Sequence, residues 1–566
     1  MAYWNAIYHI NLYSGSDTAR TAIAGVNFVN NGSGVVRGQK TAHGLVTGAV
    51  ITIPSGTYAG DYMINRIDAD NFDVFTARAI GVVIISGTPA VNDTLTLNGN
   101  VFTFKDSRSG AFDIAISTDL AVLIANICNA VNGDMTTMYA FQQENGFKLL
   151  ADICGTAGNS YTLAASSAVV NLSGATLTGG ANLAYSANRT SVSITPFGGS
   201  SWSDAWLTIT SGATAARIQG GDMIKVSKTP DPVAIGNATW TDGSKVVTLA
   251  TAQTLTVENC EAAWTASTNV TCTTSANRKQ GTVCASVAIA TAFTTGKVAY
   301  RAIGSTLDLS GYQKLSFWIQ NSVAVTANYL KICLCSDTTG NTIVDEFLIP
   351  AMASTGRYAP MTIARTGGGN LGSAIQSIAL YAVTDPGTPT LLLDNFIACT
   401  TSGLNLQSMI SKNSLKQGGT EGFYAIQMID GTTVHLDGDT NCYQSATWNK
   451  YTGATETVAT YMRDGFRTAM ATNNTTVVHA INDSGSATLG YLELHGGWDT
   501  TTNLQDADTL FDGWNGNGYI ISTNSRMLVK INRFRCVRGN TGVCLSGLGN
   551  NSITNNGQCN NNSGKI

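Results

Sequence analysis

The sequence predicts a mostly β, multidomain protein comprising a small β-barrel, a small α+β module, a jelly-roll β-sandwich and a C-terminal parallel β-helix. Three observations carry this expectation. Thr, Val, Ile, Ser and Gly run in short alternating stretches broken by Asn-Gly, Asp-Gly and Ser-Gly pairs, which is the pattern of short strands and tight turns. A chain of 566 residues is too long for one hydrophobic core, so modules in series are expected. With 43% hydrophobic, 12% charged and 59 glycine residues, the composition is too apolar for disorder and too polar for a membrane span.

Charge and cysteine usage narrow the function classes. The net charge is −4 and no Lys/Arg-rich run occurs, which argues against nucleic-acid binding. The longest apolar run, "AIGVVII" at 79–85, falls far short of the ~18 residues a spanning helix needs, so no membrane insertion is expected. The opening "MAYWNAIYHINLYSG" lacks a basic region, an apolar stretch of signal length and a small-residue cleavage site, so folding in a cytoplasm is expected. The 12 cysteines are scattered. Cys333 and Cys335 in "KICLC" fall on one face of a strand and read as small buried hydrophobes, in keeping with a reducing compartment.

Along the chain, residues 1–31 read as an N-terminal attachment segment. Residues 32–80 hold turns at His43-Gly44-Leu45 and Thr47-Gly48, the strand "AVITI" and the hairpin "NRIDADNFDVF", hence a small barrel. A turn histidine bonding local backbone is the expected role of His43. In 81–183, Asn98-Gly99 signals a type I′ hairpin between "TLTL" and "VFTF". "STDLAVLIANICNAVNG" at 117–133 predicts a helix capped by Ser117 or Thr118, with Leu120, Ile124, Ile127, Cys128 and Val131 as its apolar stripe and Gly133 as its stop. Residues 184–232, with "FGGSSWSDAWLTI" and "IQGGDMIKVSKTP", read as a β-helix lead-in whose Trp202 and Trp206 plug the mouth of the helix, with a sugar platform as the alternative role of these tryptophans. Residues 233–400 alternate strongly and form a jelly roll, and 401–470 form a β connector.

The last segment, 471–566, contains "RMLVKINRFRCVRGN", "TGVCLSGLGN" and "NSITNNGQCNNNSG". Ile531, Phe534, Cys536, Val543, Leu545, Ile553 and Cys559 recur as inward residues in short strands separated by Asn/Gly corners, at a rung length of roughly twenty residues. The seven asparagines within 550–564 are therefore expected to be rungs, with a disordered tail as the alternative for the final dozen residues. So short a β-helix would expose strand edges, which favours self-association as a trimer or docking on another component.

Several of these segments resemble known families. The "HGL…TG…G.Y.G.Y.I…DA..F" pattern of 32–79 is similar to small barrels of bacteriophage tail and fibre proteins. The "YTL…G.TL.GG" finish of 82–182 resembles an inserted module of phage structural proteins, and 184–232 resembles the opening of right-handed parallel β-helices. The strings "YAI" to "LDG" and "TETVATYMR" in 401–470 resemble segments of phage virion proteins that contain β-helices. The order "LDLSGYQKLSFWIQNS", "YLKICLCSD", "IQSIALYAV", "TLLLDNFIACT" resembles the galactose-binding-like jelly roll of carbohydrate-binding modules. In that family two carboxylates often hold a structural calcium, which the resemblance maps onto Glu261 and Asp394, with an edge carboxylate capping a turn as the alternative. Sites of that family need exposed aromatics beside polar groups; Trp318 and Tyr381 are candidates, but the sequence does not assign their strand faces and neither is assigned to a sugar.

No GxSxG, HExxH, Walker or dinucleotide motif is present. Together the resemblances imply a non-enzymatic virion structural protein: a fibre, spike or decoration component assembled in the host bacterial cytoplasm, with other virion proteins as partners and a jelly roll able to engage host surface glycan. One alternative is a polysaccharide-degrading tailspike using Glu493, His495, Asp499, Asp506, Asp508 and Asp512, with Trp498 and Trp514 nearby. The other is a bacterial surface adhesin. No catalytic residue and no cofactor besides the calcium is assigned.

Overall fold

The computed structural model describes residues 5–209, 220–231, 233–241, 246–353, 356–411, 424–436, 455–465, 479–480, 491–505, 507–513, 521–522, 529–537, 545–546, 553–555 and 558–560. The protein is mostly β and multidomain, built on a parallel spine. Strands Ile7–Ile10, Met223–Ser227, Leu492–Trp498, Val529–Asn532 and Ile553–Asn555 pair in that order, all parallel. In this register Tyr8, Ile224, Leu494 and Ile531 form one column, and all four are buried in a common core. Two shorter parallel ladders supply further faces. One joins Thr509–Asp512, Phe534–Val537 and Gln558–Asn560; the other joins His479–Ala480, Ile521–Ser522 and Leu545–Ser546.

The spine thus begins with the segment read from sequence as an attachment arm. Its alternation explains why: Ala6, Tyr8, Ile10 and Leu12 all point into the spine core. At the other end, part of the Asn-rich stretch is two ladder strands, with Asn532 opposite Asn555. Ile531 and Phe534 are buried as expected. Val543 and the side chains of Cys536, Leu545, Ile553 and Cys559 lie outside the described residues.

Two insertions interrupt the spine, and each contains a further insertion. Between the first two rungs, strands Ile23–Asn30, Val36–Gln39, Asn71–Ile85, Gly60–Arg66, Val50–Ile53 and Arg189–Pro196 pair around a ring. This barrel recruits strands on both sides of the 32–80 segment because Val26, Phe28, Val192 and Ile194 complete its core. The 15-residue strand Asn71–Ile85 runs on into the α+β module, where Gly146–Cys154 and Val170–Leu172 pair with its far half. The helix spans Leu120–Asp134 and buries Ile124, Ile127, Cys128 and Val131. Its cap is Asp119, whose carboxylate accepts from Ala121 N at 2.9 Å; Ser117 instead accepts from Asp119 N, and Gly133 lies within the last turn. Asn98 and Gly99 both have positive φ, 45° and 81°, as a type I′ turn requires.

The second insertion is a closed barrel of Val233–Thr241, Val246–Leu249, Thr433–Leu436, Tyr424–Asp430, Met409–Ser411 and Thr455–Arg463. Residues 233–249, grouped by sequence with the jelly roll, pair here with the 401–470 segment, because Trp240, Val247 and Leu249 share a core with Ile410, Ile426 and Val434. The jelly roll is carried by this barrel. Its two sheets, one around Thr390–Cys399 and the other around Ile375–Ala382, enclose a single core that includes Phe317, Phe347, Leu380 and Phe396.

Each insertion leaves and returns on neighbouring strands: Ile10 bridges Trp206, Ala77 pairs with Ala181, Val233 with Met462, and Thr254 with Cys399. Arginines clasp both necks on the spine. Arg20 donates to the Asp204 carboxylate and carbonyl and lies 4.5 Å over the ring of Trp206, a buried residue that closes the first rung. Arg463 donates to the carbonyls of Pro230 and Thr229.

Candidate functional site

Glu261 and Asp394 come from opposite ends of the jelly-roll chain, and the fold turns both toward one loop, 279–283. Asp394 is fully buried; Oδ2 accepts from Lys279 N at 2.7 Å and Gln280 N at 3.1 Å, and Oδ1 accepts from Gln280 Nε2 at 3.1 Å. The same Gln280 amide also donates to the Asn259 carbonyl. Glu261 accepts from Thr282 N at 2.9 Å and from the Thr282 hydroxyl. Gly281 makes the close approach feasible: its φ is +63°, and a Cβ there would fall 1.6 Å from Glu261 Oε1.

Calcium takes six to eight oxygen ligands. Here both carboxylates face N–H and O–H donors, and the Gln280 amide lies between Asp394 and the Asn259 carbonyl, where an ion would have to bridge them. The residues present do not fit calcium, and among the described residues no group of three or more His, Cys, Asp or Glu side chains is placed to hold a metal. Burial pushes the Asp394 carboxyl up to about 7; the N–H donors of Lys279 and Gln280 oppose this and the charge of Glu261 adds to it.

Neither jelly-roll aromatic is a free sugar platform. Trp318 is fully buried at the contact with the second barrel, donating through Nε1 to Gln427 O at 2.7 Å, and Lys279 Nζ lies 4.4 Å from its ring centroid. Tyr381 is half-buried on the outer face of its sheet, in register with Lys297 and Lys331. The 337–342 loop crosses that face: Tyr381 donates to Gly340 O at 2.7 Å, and Lys297 donates to Thr339 O at 2.7 Å. Cys333 and Cys335 are buried under the same loop side, as small hydrophobes. His43 takes the local role expected of it, accepting from Leu45 N at 3.0 Å.

The acidic stretch of 493–512 is dispersed through the spine. Glu493 and His495 are buried beneath the α+β module, joined to each other at 3.1 Å, and Gln143 donates to Glu493 at 3.2 Å. Burial opposes ionisation of Glu493, yet the His495 bond and the charge of Lys148 hold its carboxyl below the ordinary value. Asp508 pairs with Arg535 at 2.6 Å, and Asp512 is buried in the second ladder. Asp499 accepts from Thr501 N and Thr502 N at 2.8 Å and meets Lys228 at 3.0 Å; the Thr502 bond leads in holding its carboxyl down at about 2. Trp498 is buried against Phe141, 5.6 Å between ring centroids. Asp506 and Trp514 lie outside the described residues.

The sequence pattern does not reveal Lys148, His9 or Lys225, which meet this region only because long insertions bring them there. The sole advance signal is the period-2 alternation of the 7–10 and 223–227 strands, which puts His9 and Lys225 on the face opposite the spine core.

No protein-family model matches the sequence, and no curated protein matches it. Among solved structures the chain has distant likenesses to carbohydrate-binding modules. A family 11 module from Clostridium thermocellum, in complex with a β-1,3-1,4-mixed-linked tetrasaccharide, is 12% identical over 30% of this chain and 98% of that one, with a TM-score of 0.17. A family 29 module variant is 8% identical over 30% and 93%, at 0.15. The K2 cleaved adhesin domain of Lys-gingipain is 12% identical over 23% and 83%, at 0.16. Likenesses this distant assign no function.

Proposed function

We propose that this chain is a non-enzymatic structural protein of a bacteriophage virion, a fibre, spike or decoration component that mounts β modules on a parallel spine and displays its jelly roll toward host surface glycan. The observation that carries the reading is the nested architecture, in which every insertion departs from and returns to paired strands. Such insertions add surface without breaking the spine. The motif resemblances of the 32–79, 82–182 and 401–470 segments support the virion setting. Weak display modules gain by repetition on a symmetric particle, so single-site affinity need not be high.

Light scattering on the purified protein tests the assembly part: a trimer is expected, and a monomer at micromolar concentration would leave contact with other virion proteins as the only route to assembly. Incubation with host capsule or lipopolysaccharide tests the absence of catalysis. Cleavage that is lost in Asp506→Ala or Asp508→Ala would replace this reading with a depolymerase.

A further inference from the structure

A cavity of about 420 Å³ opens where the spine, the first barrel and the α+β module meet, within the about 300–1,000 Å³ range of small-molecule sites. Its basic lining comes from three segments far apart in sequence: His9 and Lys225 from adjacent rungs, in register, and Arg78 from the strand shared by the first barrel and the module. Lys225 is 1% exposed, and its polar partner is Asn503 Oδ1 at 2.9 Å. Around it stand the rings of Trp498, Tyr139 and Phe141, with centroids at 4.0, 4.8 and 5.5 Å. Arg78 is 2% exposed; it donates to the Ala151 carbonyl and reaches the Cys154 sulfur at 3.7 Å, while its Nε has no partner.

Among the described residues no carboxylate forms an ion pair with Lys225 or Arg78. Among the described residues the one carboxylate lining the cavity is Asp152, which is bonded to the Tyr161 hydroxyl at 3.0 Å and feels the charge of Arg78 without pairing with it. Burying cations without an ion-pair partner is costly, and a fold that retains Lys225 and Arg78 around a cavity with Asp152 as the only carboxylate among its described lining residues suits an anionic ligand. Burial, then the charge of Arg78, drives the Lys225 ammonium well below its ordinary range, and burial, then the charge of Lys225, takes His9 down to about 3. An anion among these groups offsets that strain.

The rest of the wall narrows the ligand. Trp202 and Tyr139 present aromatic surface, and Trp202 is fixed by its Nε1 bond to Asn503 at 3.3 Å and its edge contact with His9 at 4.8 Å. Ser200, Ser201 and Asn503 add hydroxyl and amide groups beside those rings. Rings suit the C–H face of a pyranose, hydroxyl and amide groups suit its hydroxyls, and cations suit a carboxylate. We propose that this junction is a binding site for a carboxylate-bearing sugar, a hexuronate unit, with Lys225 and Arg78 taking the carboxylate and Trp202 and Tyr139 the ring. The site lies apart from the jelly roll, so it stands or falls independently of the display reading.

Calorimetric titration of the full chain with glucuronate, glucose and inorganic phosphate tests it. Glucuronate is expected to bind at least ten-fold more tightly than either of the others. Lys225→Met should weaken glucuronate at least ten-fold while the unfolding temperature stays level or rises, because the variant removes a buried charge. Trp202→Ala, at a half-exposed position, should weaken glucuronate without unfolding the protein. Equal binding of glucose, phosphate as tight as glucuronate, no glucuronate binding at millimolar concentration, or unchanged affinity in both variants would each overturn the proposal.

Discussion

Asp394 shows how a buried carboxyl couples to its surroundings. An unfolded-chain aspartate titrates near ~3.9, whereas burial holds this one up to about 7 in the fold. The folded state therefore keeps a proton that the unfolded state gives up between these values. The stabilisation is full below the lower pKa and is lost as pH rises through the upper one. The jelly-roll unfolding midpoint should rise as pH falls from 8 to 5, and Asp394→Asn should flatten that slope; an unchanged slope in the variant would refute the assignment. Gly281→Ala places a Cβ against Glu261 at positive φ, so it should cost about 1–3 kcal/mol or more, measured by thermal denaturation. The pairing of Glu261 and Asp394 around one region is legible in the sequence through the family resemblance. The donors they meet are not, because nothing in "RKQGTV" distinguishes a glutamine amide that sits between oxygens from one in solvent.

At the scale of elements, local chemistry is legible where the residues themselves decide it. Asn98-Gly99 adopts the turn its two residues favour, and Ile124, Ile127, Cys128 and Val131 of the helix stripe are buried as its periodicity requires, with Leu120 partly buried at its start. The helix start differs by a residue or two because Ser117, Thr118 and Asp119 are all competent caps and backbone geometry selects Asp119. Asp119→Ala should therefore cost about 1 kcal/mol, within the 0.5–2 range for lost caps, whereas Thr118→Ala should be neutral; chemical denaturation monitored by helical circular dichroism separates the two. The strand Asn71–Ile85 marks the limit of pattern reading. It runs as one strand from barrel to module without a break, so no turn shows where one sheet hands over to the other.

At the scale of the whole molecule, the contact between the jelly roll and the second barrel is built on Trp318, which shares a core with Trp240, Tyr424 and Ile426. Trp318→Ala removes that anchor and should cost about 3–5 kcal/mol. Scanning calorimetry of the full chain should then show the jelly-roll transition separated from that of the barrel; a single undivided transition at the original temperature would count against the anchor role. Sequence shows the kinds of module present. It does not show their nesting, because Tyr8, Ile224 and Leu494 look like unrelated strand residues until the insertions between them are closed.

That nesting also sets a schedule for synthesis. The spine joins Ala6 to Asp222 across 216 residues and Ser227 to Thr509 across 282. At elongation rates of about 5–20 residues per second, the second closure waits roughly 15–55 s after its first strand leaves the ribosome. The barrels and their guests, whose partners emerge sooner, can close in that interval, so the innermost modules form first, while Met223–Ser227, paired on one side with Ile7–Ile10, waits for its second neighbour, Leu492–Trp498. The Met223–Ser227 strand therefore stands with one edge unpaired until Leu492–Trp498 is made, and that apolar edge is what has to be shielded during synthesis until the spine zips shut.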